Sequence, residues 1–173
     1  DLYPRTYTVF PQGGPNSWSY NPNAKHYDYN PDMANQLLDE LGYIWDDDGV
    51  YRLDPDTNEP VTIRYAMGAE PAPVHLISMD NWEDIGIKIE VFKIVGQAGL
   101  SKVFTDYDFD VYYWGAWTGP DVSHIEEWLG SDYIVKGGMW VNGGRYNNSE
   151  VDQLFEKAYL TTDRDERQDY YWQ

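Results

Sequence analysis

The sequence predicts an α/β domain with a small mixed sheet flanked by helices. Two observations support this prediction. Short segments alternate apolar and polar residues, as half-buried strands do, and amphipathic segments with helix caps lie between them. Strands that alternate with helices along a chain are typical of α/β domains. At 173 residues the chain is long enough for one such domain with its own core.

The first helix is predicted after a turn-rich entry segment. Residues 1–28 are rich in Pro, Gly and Asn and show little periodicity, which indicates extended and turning backbone. Asn30 has the position of an N-cap, Pro31 the first helical position, and Gly42 follows the last turn. Four apolar residues are expected on the buried face of this helix: Met33, Leu37, Leu38 and Leu41.

Three strands are predicted over residues 61–67, 87–95 and 109–115. The second strand alternates most clearly, because Ile87, Ile89 and Val91 share one face while charged residues occupy the other. The third strand leads directly into a segment that combines two tryptophans with two glycines and a proline.

Further helices are predicted around and after these strands. The helix over residues 71–84 is expected to bury Val74, Ile77 and Trp82. Asp163 and Glu166 form a capping-box pattern that opens the last helix. Shorter or intermediate helices are predicted over 99–105, 120–129 and 149–160, with a glycine-rich loop over 137–148.

The composition limits the partners and chemistry of the protein. Its formal charge of −18 and its pI of about 4.2 argue against nucleic acid as a partner, because phosphates repel an acidic surface. It contains no cysteine, so neither disulfides nor thiol chemistry is available. The first residue is not Met, and the final residues fall in a helical pattern, so we expect a fragment of a longer protein.

No metal or cofactor motif is present, and we expect neither a metal nor a cofactor. The three histidines stand far apart, and the glycine pairs match neither a dinucleotide fingerprint nor a P-loop. The acidic stretch 46–59 fits no register of a calcium-binding loop, so two turns flanking a short strand are the better interpretation.

Carboxylates near tryptophans leave one enzymatic alternative open. Asp121, Glu126 and Glu127 are the candidates for the paired acids that glycoside hydrolysis requires. Acidic residues are so frequent in this chain that such proximity has little weight, and we expect a protein that is not an enzyme.

Six stretches from Tyr29 onward stand in register with one known family. They are "YNPDMANQLLDELGY", "DDDGVYRLDPDTNEPVTI", "NWEDIGIKIEV", "DYDFDVYYWGAW", "GRYNNSEVDQLFEKA" and "TDRDERQDYY". In this order they resemble the C-terminal lobe of the extracellular solute-binding proteins of ABC importers, oligopeptide/dipeptide-binding class (family 5). The resemblance implies one lobe of a two-lobed, periplasmic-binding-protein-like fold that closes on its ligand.

The resemblance also implies a domain organisation, partners and a location. Residues 1–28 would form the hinge-proximal entry and residues 29–173 the ligand-binding lobe. The expected partners are a small solute (an oligopeptide or an oligosaccharide), the ABC permease subunits and a missing N-terminal lobe of the same chain. The expected location is extracellular or periplasmic, and the sequence leaves open whether a missing N-terminus anchors the protein to the membrane.

In the family, the segment after the aromatic strand faces the cleft between the lobes. By this resemblance Trp114 and Trp117 would present apolar faces to a ligand. Because residues at i and i+3 of a strand point to opposite faces, we expect at most one of the two to face the ligand, and we favour Trp117. Asp121 would pair with a peptide amine or merely cap a helix. The second expected wall is the loop that contains Trp140, Arg145, Tyr146 and Asn147, in which Arg145 would clamp a carboxylate or pair with a surface acid.

Overall fold

The chain divides into two compact units, each with its own core. The computed structural model describes residues 8–10, 12–68, 70–113, 119 and 121–173. One unit, Asp28–Trp114, contains all of the described strands and is called the sheet unit. The other, Asp1–Tyr27 together with Gly115–Gln173, is called the helical unit. The predicted boundary between an entry segment, 1–28, and a lobe, 29–173, stays a prediction.

A parallel three-stranded sheet forms the centre of the sheet unit. Its strands are β3 (Thr62–Met67), β4 (Lys88–Lys93) and β5 (Val111–Tyr112), in the order β4-β3-β5. The helices α2 (Pro73–Glu83) and α3 (Gly96–Phe104) connect them. The first two predicted strands are confirmed, and so is the α/β class. The strand predicted over 109–115 is formed over Val111–Tyr112, and its last two predicted residues, 114 and 115, lie outside the described residues. Because the strands are parallel, their carboxyl ends lie at one edge, which is where ligands bind in open α/β sheets.

The core of the sheet unit lies between the sheet and α3. Ala66 from the central strand and Val103 from α3 are fully buried. The cluster as a whole consists of Ala66, Ile94, Val103, Phe104 and Phe109, with Phe92, Leu100 and Tyr112 packed against it. The predicted face of β4 is only partly correct, because Ile87 is buried whereas Val91 is exposed.

The buried face of α2 differs from the one that its apolar residues predict. Val74 and Ile77 are exposed, Ile77 by 59%, while the polar His75 between them is buried. The reason is a hydrogen-bonding partner for the imidazole on β3, so that the helix turns a polar residue towards the sheet.

The first helix, α1 (Pro31–Glu40), begins as predicted but does not bury its apolar stripe. Asn30 caps it, and the side-chain oxygen of Asn30 accepts a hydrogen bond from the amide of Met33. Met33, Leu37 and Leu41 are nevertheless more than half exposed. The described contacts that fix α1 are polar instead, because Asn35 and Asp39 both accept hydrogen bonds from Arg52.

The acidic stretch that was compared with a calcium-binding loop forms two turns, each centred on an aspartate. Asp46 accepts hydrogen bonds from the amides of Val50 and Tyr51, and Asp54 accepts those of Asp56 and Thr57. Between them lies β2 (Arg52–Leu53), which pairs antiparallel with β1 (Ile44–Trp45). The interpretation as turns flanking a short strand is confirmed.

Arg52 is the polar centre of the sheet unit. Its side chain is 1% exposed and donates to Asp39, Asn35 and the carbonyls of Tyr43 and Ile85. Its guanidinium lies 4.6 Å from the ring centroid of Trp45.

Glycine is required beside this guanidinium. A Cβ on Gly86, whose φ is +85°, would lie 2.8 Å from Cγ of Arg52 and 2.7 Å from Cζ3 of Trp45. Only a residue without a side chain therefore allows the arginine and the indole to pack here.

The helical unit consists of short helices around a second core. Phe10, Val122, Ile125 and Phe155 are buried in it, with Trp18, Trp128, Leu129, Val151 and Tyr171 packed against them. Its elements are 3₁₀ helices Ser17–Ser19, Val122–Ile125 and Ser131–Tyr133, and the helices α4 (Glu126–Leu129), α5 (Ser149–Leu160) and α6 (Arg164–Trp172). The predicted helices at 149–160 and after Asp163 are confirmed, and the glycine-rich loop 137–148 is irregular as expected.

The capping box of α6 is half formed. Asp163 accepts hydrogen bonds from the amides of Asp165 and Glu166, as an N-cap does. The carboxylate of Glu166 accepts instead from the hydroxyl of Thr161, at 2.5 Å, so the reciprocal bond to the cap residue is replaced.

Candidate ligand-binding site

The predicted aromatic segment follows the carboxyl end of β5. Tyr113 comes directly after this strand, and its amide donates to the carbonyl of Ala66 at 3.2 Å. Trp114 and Trp117 lie outside the described residues, so their predicted contact with a ligand stays a prediction. The structure describes Tyr113, directly before this segment, and the residues that contact it.

A cluster of aromatic and imidazole rings lies at this edge of the sheet. The hydroxyl of Tyr65 lies 3.1 Å from Nδ1 of His75. The His75 ring meets the ring of Tyr113 edge-on, with centroids 4.5 Å apart. Burial, followed by the nearby Tyr113, raises the pKa of Tyr65, so this hydroxyl stays protonated over the whole physiological range.

Asp121 is committed to structural partners in the helical unit. It caps the 3₁₀ helix Val122–Ile125 by accepting from the amide of Ser123. The two outer nitrogens of Arg167 donate to its two carboxylate oxygens at 2.6 and 3.1 Å. The bonds from Arg167, together with those from Ser123, lower the pKa of Asp121 to about 2. The capping alternative is thus observed, whereas the pairing with a ligand amine stays a prediction.

Gly119 stands at a second position where only glycine fits. Its φ is +63°, and a Cβ there would lie 1.9 Å from Cδ2 of His124. The side-chain amide of Asn16 donates to its carbonyl at 3.2 Å. The close approach at Gly119 is therefore made by the imidazole of His124.

The second predicted wall is one exposed loop. Trp140, Arg145, Tyr146 and Asn147 all lie within residues 137–148 and are exposed, Trp140 by 61%. Arg145 has a φ of +56°, so this short turn uses the left-handed region at a residue other than glycine. These four residues are close together in the sequence, and the structure shows that all four are exposed. Their contact with a ligand stays a prediction.

Asn142 holds this loop in place. It is 2% exposed and donates to the carbonyls of Gly130 and Tyr146 at 3.0 and 2.7 Å. Its side-chain oxygen accepts from the amide of Tyr146 at 3.0 Å. Three bonds from one buried amide fix the backbone on which the exposed aromatic residues stand.

The carboxylates of the glycosidase alternative have different environments. Glu126 lines a cleft of about 590 Å³ with Asp132, Asp152, Tyr133 and further residues of α5. Burial, followed by the charges of Asp132 and Asp152, raises the pKa of Glu126. Asp121 is not among the residues that line this cleft, and its oxygens are already bonded to Arg167. A nucleophile or base with that set of partners is a poor one, which weakens the enzymatic alternative.

Two absences hold for the described part of the chain. Within residues 8–10, 12–68, 70–113, 119 and 121–173, no group of three or more His, Asp or Glu side chains is arranged to hold a metal ion. Nor is any helix in these ranges long and apolar enough to cross a membrane.

Sequence reasoning missed the buried side-chain contacts of His75 and Asn142. His75 looks like a lone histidine within a helical pattern, and its partner Tyr65 lies ten residues away on a strand. Asn142 looks like an ordinary loop residue. No spacing rule reveals either contact, because each depends on how separate elements pack.

Similar proteins support the family resemblance. Among curated proteins, heme-binding protein A of Haemophilus influenzae is 29% identical over 161 residues, which are 92% of this chain and 27% of that protein. Among solved structures, the oligopeptide-binding protein AppA of Bacillus subtilis, in complex with a nonapeptide, is similar with a TM-score of 0.71 at 22% identity, over 95% of this chain and 32% of that chain. A mannohexaose-bound periplasmic oligopeptide-binding protein of Thermotoga maritima gives 0.73 at 20% identity, over 94% and 32%.

The similar proteins are all much longer than this chain, whereas the family model covers most of it. The chain spans less than a third of the length of these relatives. The structural likenesses show that it shares the periplasmic-binding-protein fold. The family model described as "Bacterial extracellular solute-binding proteins, family 5 Middle" matches residues 2–134, which is more than half of the chain. The chain therefore belongs to the bacterial extracellular solute-binding proteins of family 5.

Proposed function

We propose that this chain forms one ligand-binding lobe of an extracellular or periplasmic protein that captures an oligopeptide or a similar solute for an ABC importer. The observation that supports this most is the family match over residues 2–134. The similar solved structures are about three times longer than this chain. In this proposal the second lobe is supplied by the rest of a full-length protein. An N-terminal membrane anchor is compatible with this proposal and is not required by it.

Binding by closure follows from this organisation. One lobe offers a preformed surface, the ligand bridges to the other lobe, and the closed form docks on the permease subunits. A ligand stabilises the closed form only by the difference in its affinity for the two states. No turnover of the ligand is part of this mechanism.

The proposed ligand contacts are the two predicted walls, each considered by itself. Trp114 and Trp117 form the first and Trp140, Arg145, Tyr146 and Asn147 the second. Support for the second wall comes from its exposed rings and from the three hydrogen bonds of Asn142, because a rigid loop loses little entropy on binding.

An oligosaccharide is the second candidate ligand, and one observation favours it. The Asp121 carboxylate already accepts hydrogen bonds from Arg167 and Ser123, so a peptide amine would have to compete with them. Exposed Trp and Tyr rings, by contrast, are suited to stacking on sugars without any charge. A related structure also contains mannohexaose, although that ligand is a property of that protein.

Tryptophan fluorescence of the full-length protein tests the proposal. It would be titrated separately with a nonapeptide library and with mannohexaose, for the unaltered protein and for Trp117→Ala and Tyr146→Ala. Tyr159→Ala serves as a matched control, because Tyr159 is exposed and belongs to neither wall. We expect saturable binding of one ligand class, weakened by roughly tenfold or more in the wall variants, as a loss of about 1.4 kcal/mol per site would give. Unchanged affinity in both variants would refute the proposed walls, and no binding of either class would refute the function.

A further inference from the structure

We infer that Asn142 is a deamidation site that the folded loop 137–148 protects, and that its deamidation releases this loop irreversibly. Asn142 is the only asparagine in the sequence that is followed by glycine. Asparagine is a thermolabile residue, and a following glycine favours its deamidation, because no Cβ shields the backbone nitrogen that attacks. The inference does not depend on the proposed function, since it concerns the covalent chemistry of the loop and not a ligand.

The reaction needs only water and releases ammonia. The backbone nitrogen of Gly143 loses its proton and forms a bond to Cγ of Asn142, and the side-chain nitrogen takes up a proton and leaves as ammonia. The product is a five-membered succinimide ring. Water then opens this ring at either of its two carbonyl groups, which gives aspartate or isoaspartate.

In the folded loop both reacting groups are held by other partners. The amide of Gly143 donates to the carbonyl of Val141 at 2.6 Å, in a three-residue turn centred on Asn142. The side chain of Asn142 is 2% exposed and makes three hydrogen bonds, to the carbonyls of Gly130 and Tyr146 and from the amide of Tyr146. Cγ has to rotate towards the attacking nitrogen, so these side-chain bonds must break first. Deamidation therefore proceeds from molecules in which the loop has opened locally.

The product no longer fits the buried position. An aspartate carboxylate has no proton to donate at neutral pH, so the carbonyls of Gly130 and Tyr146 would face a negative charge. Of the three bonds that Asn142 makes, only the one from the amide of Tyr146 suits a carboxylate. A buried charge without compensating partners is costly, and isoaspartate also lengthens the backbone by one carbon atom. The unmodified loop closes again after each opening, whereas the deamidated loop stays open.

Peptide mass spectrometry of the full-length protein tests the protection. The protein is incubated at mildly alkaline pH, folded in buffer and unfolded in guanidinium chloride, and deamidation is followed at Asn142 and Asn147. We expect Asn142 to react at least roughly tenfold more slowly in the folded protein, because only the open loop reacts. Asn147 is the internal control, since it is exposed in the same loop and followed by Asn148. Its rate is expected to differ far less between the two conditions.

Two results would overturn the protected site. Equal rates at Asn142 in the folded and the unfolded protein would show that the loop contacts do not protect it. A faster reaction at Asn147 than at Asn142 in guanidinium chloride would show that Asn142 is not the reactive asparagine.

Asn142→Asp and Asn147→Asp test the release of the loop, because they introduce the same charge at a buried and at an exposed position. Hydrogen exchange in residues 137–148 is expected to rise roughly tenfold or more in Asn142→Asp and to stay unchanged in Asn147→Asp. Unchanged protection in Asn142→Asp would contradict the release. If Asn142→Asp does not fold, the deamidated fraction of the unaltered protein, separated by ion exchange, decides by the same readout.

Discussion

The two units of this chain are stabilised in different ways. In the sheet unit, parallel strands share a ladder of backbone hydrogen bonds, and the core side chains come from elements with clear periodicity. In the helical unit no strand is found among the described residues, and polar side chains bond to backbone groups across long sequence distances. Periodic elements can be predicted from local sequence, whereas such bonds cannot.

Each unit also has one buried polar side chain that joins several segments. In the sheet unit it is the charged Arg52, which links α1, the β1-β2 hairpin and the turn before β4. In the helical unit it is the neutral Asn142, which links the glycine-rich loop to the end of α4. The comparison predicts a larger effect when the charged centre is removed, because bonds to charged groups are stronger.

Arg52→Met is expected to have the largest effect on stability. The substitution keeps an apolar stem but removes the donors for Asn35, Tyr43 and Ile85, at a cost of about 3 kcal/mol in the free energy of unfolding. Urea denaturation measures the change. Arg64→Met is the control, because its ion pairs with Asp108 and Asp110 are exposed to solvent and therefore contribute little to stability. Equal effects of the two substitutions would contradict the role of Arg52.

Asn142→Ala is expected to cost about 2 kcal/mol, because it leaves two carbonyls and one amide without their partner. Hydrogen exchange should rise in residues 137–148 while protection of β3 and β4 is unchanged. Asn147→Ala, at an exposed position of the same loop, is expected to change neither quantity. If protection from hydrogen exchange were also lost in β3 and β4, the substitution would destabilise the sheet unit as well, and the predicted local effect would be wrong.

Asp121→Asn tests the charged contact of the helical unit through its pH dependence. The folded-state pKa of Asp121 is about 2, below its ordinary value, so its contribution is fully present at neutral pH and is lost as pH falls through the folded pKa. Because the side chain is 48% exposed, solvent screening limits this contribution to about 1 kcal/mol. Urea denaturation should show the difference from the unaltered protein at pH 7 and its disappearance near pH 2. Asp169→Asn is the control on α6, and a difference that does not change with pH would contradict the ion pair.

The smallest difference between the two units is expected for their helix caps, because a cap should contribute about the same stability in each unit. Asn30→Ala in the sheet unit and Asn148→Ala in the helical unit each remove one bond to a helix amide, at a cost of about 1 kcal/mol. Asn→Asp at either position keeps an acceptor and should restore most of the stability. Thermal unfolding measures both pairs, and a several-fold larger cost in one unit would show that its cap has a further role.

Much of the fold could be predicted from the sequence because its signals are local. The strands at 61–67 and 87–95, the N-cap at Asn30 and the helix at 149–160 all depend on neighbouring residues. The face of α2 could not be predicted, since the bond between His75 and Tyr65 outweighs the apolar character of Val74 and Ile77. For the same reason Arg52, an unremarkable residue in a turn-rich stretch, gave no sign of its burial.

The candidate site was predictable to a smaller extent. The resemblance indicated the loop residues Trp140, Arg145 and Tyr146 and raised the capping role of Asp121, which the structure describes. Arg167, the partner of Asp121, lies 46 positions away, and no local pattern links the two residues. Contacts between distant segments, rather than residue types, decide which side chains are available to a ligand.

The most direct test of binding by closure compares this 173-residue chain with the full-length protein. Isothermal titration calorimetry would measure the affinity of each for the probe that the full-length protein binds, nonapeptide library or mannohexaose. If the chain is one lobe, as proposed, it supplies only one side of the ligand's contacts. We therefore predict saturable binding to the full-length protein and little or none to the chain alone. Equal affinity of the two would contradict binding by closure between two lobes.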